Sequence, residues 1–343
     1  LEFAQHVRLD GPSRMSWALR IGGAFALALA CLAPARAADP PAKHEVVLLA
    51  QSDSRRHAGG PEPVAVLYPD LGEPWRRVFS EILEGIEDQS RQAVHGYPVA
   101  PNADAGELSS SLKRNGTKLV IALGRQGIRA AAGVDYPTLV SAVSTVTDAD
   151  KQAGILLAPD PALLFSHLKS LVPGARRVFV IYNPTQFEWL IRMAREAARA
   201  NGLELVALEA RDLASAARQY ESVFASADPR RDAIWLPPDT STVDEATTVP
   251  IALREAWNRN LPVFSSNLLH VKRGVLFALI PDNVKLGRSL AGLANATLGG
   301  EPKRGVQPLR EVHTALNMRT AGHIGLSIGP KLARSFDIVY SEP

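Results

Sequence analysis

Short runs of consecutive apolar residues alternate along this chain with stretches whose apolar residues recur every three to four positions. Pro63 to Tyr68, P-V-A-V-L-Y, is the first clear run. After a Pro69–Gly72 turn, Trp75, Val78, Phe79, Ile82, Leu83 and Ile86 fall on one face of a helix opened by Glu73-Pro74. Gly96 to Ala100 predicts a short strand and Ala105 to Asn115 a helix that Gly116 stops. Lys118 to Leu123 is a strand, Ile128 to Ala132 a small-residue helix, and Pro137 to Val143 another strand. These strands are continuously apolar rather than alternating. That pattern belongs to a parallel sheet covered on both faces.

The pattern then repeats. Helices are predicted over Ala162–Leu171, Phe187–Ala198, Leu213–Phe224 and Val243–Asn258. Strands are predicted over Arg176–Tyr182, Leu203–Leu208, Asp232–Leu236 and Pro262–Phe264. The fold class is therefore α/β, with two Rossmann-like, doubly wound lobes. A last strand, Gly274–Ile280, and a helix carrying Leu286, Leu290, Leu293, Ala294 and Leu298 have no sheet of their own. They are expected to rejoin the first lobe, with Val306–Leu316 returning to the second. The expected lobes are residues 63–145 plus 275–304 and residues 146–274 plus 305–343. Three crossings make a hinge, and a hinge between two such lobes makes a cleft that closes on a ligand.

Composition changes this picture at the N-terminal end. Met15 and Arg20 precede an apolar segment, Ile21–Leu32, and Ala35-Arg36-Ala37 fits a signal-peptidase site. Residues 1–37 are expected to be a cleavable signal peptide with its upstream residues, and 38–62 a linker. A periplasmic address follows. The single cysteine, Cys31, lies in the leader, and lipidation there is the rival reading. Of the formal charge of +3, the leader's Arg8, Arg14, Arg20 and Arg36 outweigh Glu2 and Asp10 by two, leaving +1. The basic residues are scattered, which argues against nucleic acid as a partner.

In an open parallel sheet, ligands bind beyond the carboxyl ends of the strands. Those ends carry Tyr68 and Asp70; Gly124, Arg125 and Gln126; Ser144 and Thr145; Asn183 and Thr185; Asp239 and Thr240; and Ser265, Ser266 and Asn267. Asp70 and Asp239 suit an ammonium, and Arg125 suits a carboxylate. Each small polar residue equally suits plain helix capping. Tyr68, Trp75, Tyr182, Phe187 and Trp189 suit an apolar ligand wall, although helical spacing favours core packing for Trp75 and Phe187. There is no G-x-S-x-G, H-E-x-x-H, C-x-x-C or P-loop, and the histidines show no metal-ligand spacing. No catalytic residue, metal or cofactor is expected.

Several separate motifs resemble the periplasmic substrate-binding proteins of ABC importers, in the tryptophan- and tyrosine-type branch. They are L-V-P-G-A-R-R-V-F-V-I-Y-N-P at Leu171–Pro184, L-P-P-D-T-S-T-V at Leu236–Val243 and L-P-V-F-S-S at Leu261–Ser266. Further on come V-K-R-G at Val271–Gly274, L-G-R-S-L-A at Leu286–Ala291, L-G-G-E-P at Leu298–Pro302 and L-N-M-R-T-A at Leu316–Ala321. The resemblance implies the type I periplasmic binding protein fold and a monomer. It implies a small polar or amino-acid-like ligand held between the lobes and passed to an ABC permease in the inner membrane. The ligand-facing segments it implies are Tyr68–Asp70, Gly124–Arg125, Ser144, Asn183–Thr185, Asp239–Thr240 and Ser265–Asn267. One departure stands out. The first crossover, expected at Ser144–Leu156, reads S-T-V-T-D-A-D-K-Q-A-G-I-L in place of the family's P-G-G-N-x-T-G loop. The alternative reading is a periplasmic sensor of the same fold, coupled to a membrane kinase or receptor system.

Overall fold

Val64–Pro69 (β1), with Val64 to Leu67 fully buried, starts the architecture of a computed structural model that describes residues 63–302 and 304–341. The expected leader and linker, residues 1–62, lie outside the described residues. After β1 come α1 (Trp75–Gln89), β2 (Val94–Val99), α2 (Ala105–Arg114), β3 (Leu119–Leu123), α3 (Gly124–Ala131), β4 (Thr138–Ser141) and β5 (Ala153–Pro159). The middle of the chain holds α4 (Pro161–Leu171), β6 (Arg177–Tyr182), α5 (Pro184–Ala200), β7 (Glu204–Glu209) and α6 (Leu213–Ser226). It continues with β8 (Asp232–Leu236), α7 (Thr248–Arg259), β9 (Val263–Ser265), α8 (Leu268–Arg273) and β10 (Phe277–Pro281). The remainder is α9 (Asn283–Leu298), β11 (Gly305–Leu309), β12 (Val312–Asn317), α10 (Met318–His323), α11 (Pro330–Ala333) and β13 (Ile338–Tyr340).

Two sheets result. The first has the order β11-β5-β4-β3-β1-β2 and is parallel throughout; the second has the order β13-β12-β10-β9-β8-β6-β7, with only β10 and β12 antiparallel. The fully buried strands match the continuous apolar runs of the sequence. In the second lobe, Trp235, Phe264 and Phe277 stack with ring centroids 6.4 and 5.1 Å apart and planes within 4°. Phe165 of α4 meets Trp235 edge-on at 5.8 Å. Each such pair contributes about 0.5–1.5 kcal/mol beyond the area it buries.

The sheet topology corrects three lobe boundaries. First, β5 pairs with β4, so residues 153–159 belong to the first sheet and the first crossing falls at Pro159–Pro161, not within Ser144–Leu156. Second, β10 pairs with β9 and β12 in the second sheet; only α9 returns to the first lobe. Third, β11 pairs with β5 and stays in the first sheet, so only β12 onward returns. The reasons are physical. Phe277, Ala278 and Leu279 have no exposure and form a central strand, which needs neighbours on both sides. β11 contains Pro308, which cannot donate to a ladder and suits an edge strand.

α9 is held in the first lobe by an unusually close pass over α1. A Cβ on Gly85 would lie 1.9 Å from the Val284 carbonyl oxygen, and one on Gly287 would lie 2.1 Å from that of Ile82. Only glycine at both positions allows this contact.

Candidate functional site

The three crossings place the candidate site. They lie at the carboxyl ends of β5, β10 and β11 and are bonded side by side. The Asp160 N–H donates to the Leu309 carbonyl at 2.8 Å, and the Asp282 N–H donates to that of Glu311 at 3.0 Å. The strands that run with β5 in the first sheet, and with β10 in the second, therefore end on the hinge side. Asp160 and Asp282 also cap the helices that open the far side of two crossings, α4 and α9, through the N–H groups of Ala162 (2.9 Å) and Lys285 (3.1 Å). Burial alone would raise the Asp282 pKa. The Lys285 N–H and ammonium, together with His313, overcome this and hold it below the usual carboxylate range.

On the first lobe, Tyr68 is half-buried and stacks on Phe79 at 6.4 Å. Its phenol pKa is raised by burial and then by Asp70 and Glu87. Asp70 and Arg125 are exposed. Gly124 is buried at φ +67°, and a Cβ there would press on Pro69 at 3.1 Å, so the start of α3 can sit against the end of β1. Trp75 is not core, contrary to its helical spacing. It is the first residue of α1 and is 59% exposed at this edge.

On the second lobe the buried polar residues are spoken for. Asn183 caps α5, accepting from the Thr185 N–H at 3.0 Å. Asp239, 1% exposed, accepts from the Asn183 N–H at 2.7 Å, the Ser241 N–H at 2.9 Å and the Ser241 hydroxyl. Its oxygens tie the loop after β6 to the loop after β8, so the carboxylate shapes the site and offers little to an ammonium. Ser265, also 1% exposed, accepts from the Asn267 N–H at 3.2 Å and lies 2.7 Å from Nδ1 of His270. Nε2 of His270 lies 2.8 Å from Glu245, which also holds Arg273. Since a carboxylate only accepts, the Nε2–H donates to Glu245, and in the neutral ring Nδ1 then accepts from the Ser265 O–H. The serine–histidine–carboxylate sequence is that of a hydrolase relay with the ring nitrogens exchanged, but the hydroxyl is buried and the trio works as a brace between the β8–α7 loop and α8. Burial lowers the His270 pKa, partly opposed by Glu245. Asn267 caps α8 and reaches Glu245 at 3.2 Å. Thr185 and Thr240 are exposed and Ser266 is half-buried. Tyr182, Phe187 and Trp189 are buried in the core; the Tyr182 hydroxyl donates to Glu188 at 2.7 Å, and burial, then Glu188, pushes its pKa up to about 12.

The two lobes meet at one pair of predicted segments. The Thr145 hydroxyl donates to the Gln186 carbonyl at 2.7 Å, and Asp150 pairs with Arg192 at 2.8 Å. Ser144 and Thr185 flank the first of these bonds in sequence. Nothing in the local sequence singles out Ser241, Glu245 or His270. Glu245 lies 25 residues from His270, and no local pattern links them. Among the described residues, no group of three or more His, Cys, Asp or Glu side chains could hold a metal ion.

Comparison with known proteins bears on the fold and the family. No curated protein sequence matches the chain. A substrate-binding protein with adhesive properties from Clostridium difficile, in a ligand-free, open structure, matches with TM-score 0.56 and 17% identity, over 81% of this chain and 99% of that one. A conserved domain protein from Vibrio cholerae gives TM-score 0.51 and 16% identity, over 81% and 99%. An ABC domain from Streptococcus pneumonia, solved with L-Trp, gives TM-score 0.50 and 17% identity, over 81% and 100%. The fold is that of type I periplasmic binding proteins. The family model described as ABC transporter substrate binding protein matches residues 100–335, and the chain belongs to that family of solute-binding proteins.

Proposed function

We propose that this protein is the periplasmic solute-binding component of an ABC importer. It captures a small polar or amino-acid-like solute between its lobes and, as a monomer, presents it to a permease in the inner membrane. The observation that carries the reading is the convergence of three crossings with the strand-end loops of both sheets, since binding there couples to lobe closure. The periplasmic address rests on the signal-peptide pattern of residues 15–37. The ligand-binding set is Tyr68, Asp70, Gly124, Arg125 and Ser144 on one side, and Asn183, Thr185, Asp239, Thr240, Ser265, Ser266 and Asn267 on the other. Exposure divides it. Asp70, Arg125, Thr185 and Thr240 offer free polar groups, while Gly124, Asn183, Asp239 and Ser265 hold the loops in shape. The exposed Trp75 is an apolar surface on the same edge.

A thermal-shift panel of amino acids, nucleosides and sugars, tryptophan included, tests the reading. A true ligand at 100 times its Kd should stabilise the protein by about 2.7 kcal/mol, an easily measured rise in Tm. A flat response across the panel, with no small molecule seen by native mass spectrometry of the purified protein, would remove solute capture as its role.

A further inference from the structure

At the opposite end of the second lobe lies a cavity of about 310 Å³ that the cleft does not explain. It is lined by Leu261 just before β9 and Val263 at its start, the last turns of α7 and α8, and α10. Asn317, where the antiparallel β12 ends, is at its floor. These positions put it at the amino ends of the parallel strands, away from the hinge. Its volume is within the range of small-molecule sites.

The lining has a consistent chemistry. The floor is apolar, and its polar groups bond within the protein. The Asn317 amide donates to the Val271 carbonyl at 2.7 Å, the Thr320 N–H donates to Asn317 at 2.9 Å, and the Thr320 hydroxyl donates to the Gly274 carbonyl at 2.9 Å. The rim carries Arg254, Lys272, Arg273 and Arg319, from three helices. Arg254 pairs with Glu255 and Arg273 with Glu245. Among the described residues, Lys272 and Arg319 have no carboxylate partner. Arg319 is nevertheless held in place, its guanidinium carbon 5.1 Å from the centre of the Trp257 ring. His323 stacks on that ring at 3.5 Å with planes within 5°, and its Nε2–H donates to the Trp257 carbonyl at 2.8 Å. Lys272 and Arg319 are thus cationic donors without a carboxylate among the described residues, and the surface beneath them is apolar and aromatic.

We propose that this cavity is a second ligand site, for a small anion that carries an apolar or aromatic body: a carboxylate or a phosphate monoester. Lys272 and Arg319 receive the anionic group, and Trp257 with Leu253 and Ile324 takes the body.

Calorimetric titration with phenylacetate, phenyl phosphate, inorganic phosphate and benzyl alcohol tests this, with tryptophan fluorescence as a second readout and Trp257→Phe to assign the signal. The expected result is saturable binding of at least one of the two phenyl anions. It should weaken about tenfold or more in the double variant Lys272→Gln/Arg319→Gln and persist in Arg319→Lys. The three side chains replaced, Trp257, Lys272 and Arg319, are on the surface, and circular dichroism checks the folding of each variant. Unchanged binding in the double variant would overturn the placement. Inorganic phosphate or benzyl alcohol binding as tightly as phenyl phosphate would overturn the two-part chemistry. Absence of saturation by either phenyl anion up to about 10 mM would overturn the site itself.

Discussion

The loops after β6, β8 and β9 are laced together by side chains, whereas the loops after β1 and β3 are shaped mainly by backbone. On the second lobe, Asp239 bonds to Asn183 and Ser241, and Ser265, His270 and Glu245 form a continuous chain. On the first, the Asp70 and Arg125 side chains make no hydrogen bond or ion pair among the described residues, and the close fit of Gly124 against Pro69 sets the geometry. The same kind of sequence, a buried strand ending in small polar residues, therefore builds two different walls. One is pre-organised, with its buried polar groups already used. The other leaves its charges free.

The largest effect should come from cutting the lacing at its most buried point. Asp239→Ala would leave the buried Asn183 N–H and the half-buried Ser241 N–H without their charged acceptor. Hydrogen bonds to a buried charge are worth about 1.5–3 kcal/mol each way, so a loss of about 3 kcal/mol in urea unfolding is expected. A change below about 0.5 kcal/mol would mean that the second wall is not held by this network.

A smaller and pH-dependent effect is expected at His270. Its folded-state pKa is below the unfolded value because of burial. The unfolded chain therefore binds the proton more readily, and stability that is full above about pH 6.5 falls as the pH drops below it. His167, whose pKa burial also lowers, adds to the same trend. Glu245→Gln removes the carboxylate that opposes the depression, while the amide oxygen can still accept from Nε2–H. Glu245 is half exposed, so the loss at pH 7.5 should be only about 1 kcal/mol. The additional loss between pH 7.5 and 5 should exceed that of the wild type, measured by urea midpoints at both values. Equal slopes would separate His270 from the acid response.

How far the sequence carries this comparison follows from which facts are local. The helical face of α1 and the apolar runs of β1, β3, β6 and β8 were legible because burial on both sides demands continuous apolar residues. The sheet to which β10 belongs was not. Phe277–Leu279 say only that the strand is central, and its partners Phe264 and Leu316 are fixed by topology. β5 was not legible because its short apolar run, Ile155–Ala158, follows a polar and charged stretch, Thr145–Gln152, and opens on Gly154, so the whole reads as one crossover loop. The polar strand ends were legible as places. Their roles were not, because whether Asn183 caps or binds depends on Asp239, 56 residues away. Trp75 shows the same limit, since periodicity assigns a face but not the end of the helix.

The sharpest test of the contrast has the smallest effect on stability. Asp70→Ala and Arg125→Ala remove exposed charges that support nothing else in the first lobe, so each should shift unfolding by less than about 0.5 kcal/mol. If the first wall supplies the free groups of the site, the same substitutions should abolish most of the ligand-induced rise in Tm. Loss of a charge-assisted bond to a ligand ammonium or carboxylate costs roughly 1.5–3 kcal/mol, or about 10- to 150-fold in affinity. Thr185→Ala and Thr240→Ala on the second wall should cost less, because a neutral hydroxyl contributes about 1 kcal/mol. Stability and binding would then separate by wall, with Asp239 governing the first quantity and Asp70 and Arg125 the second. If Asp70→Ala and Arg125→Ala lowered stability as much as Asp239→Ala and left ligand binding intact, the two walls would have exchanged roles and the contrast drawn from their hydrogen bonds would fail.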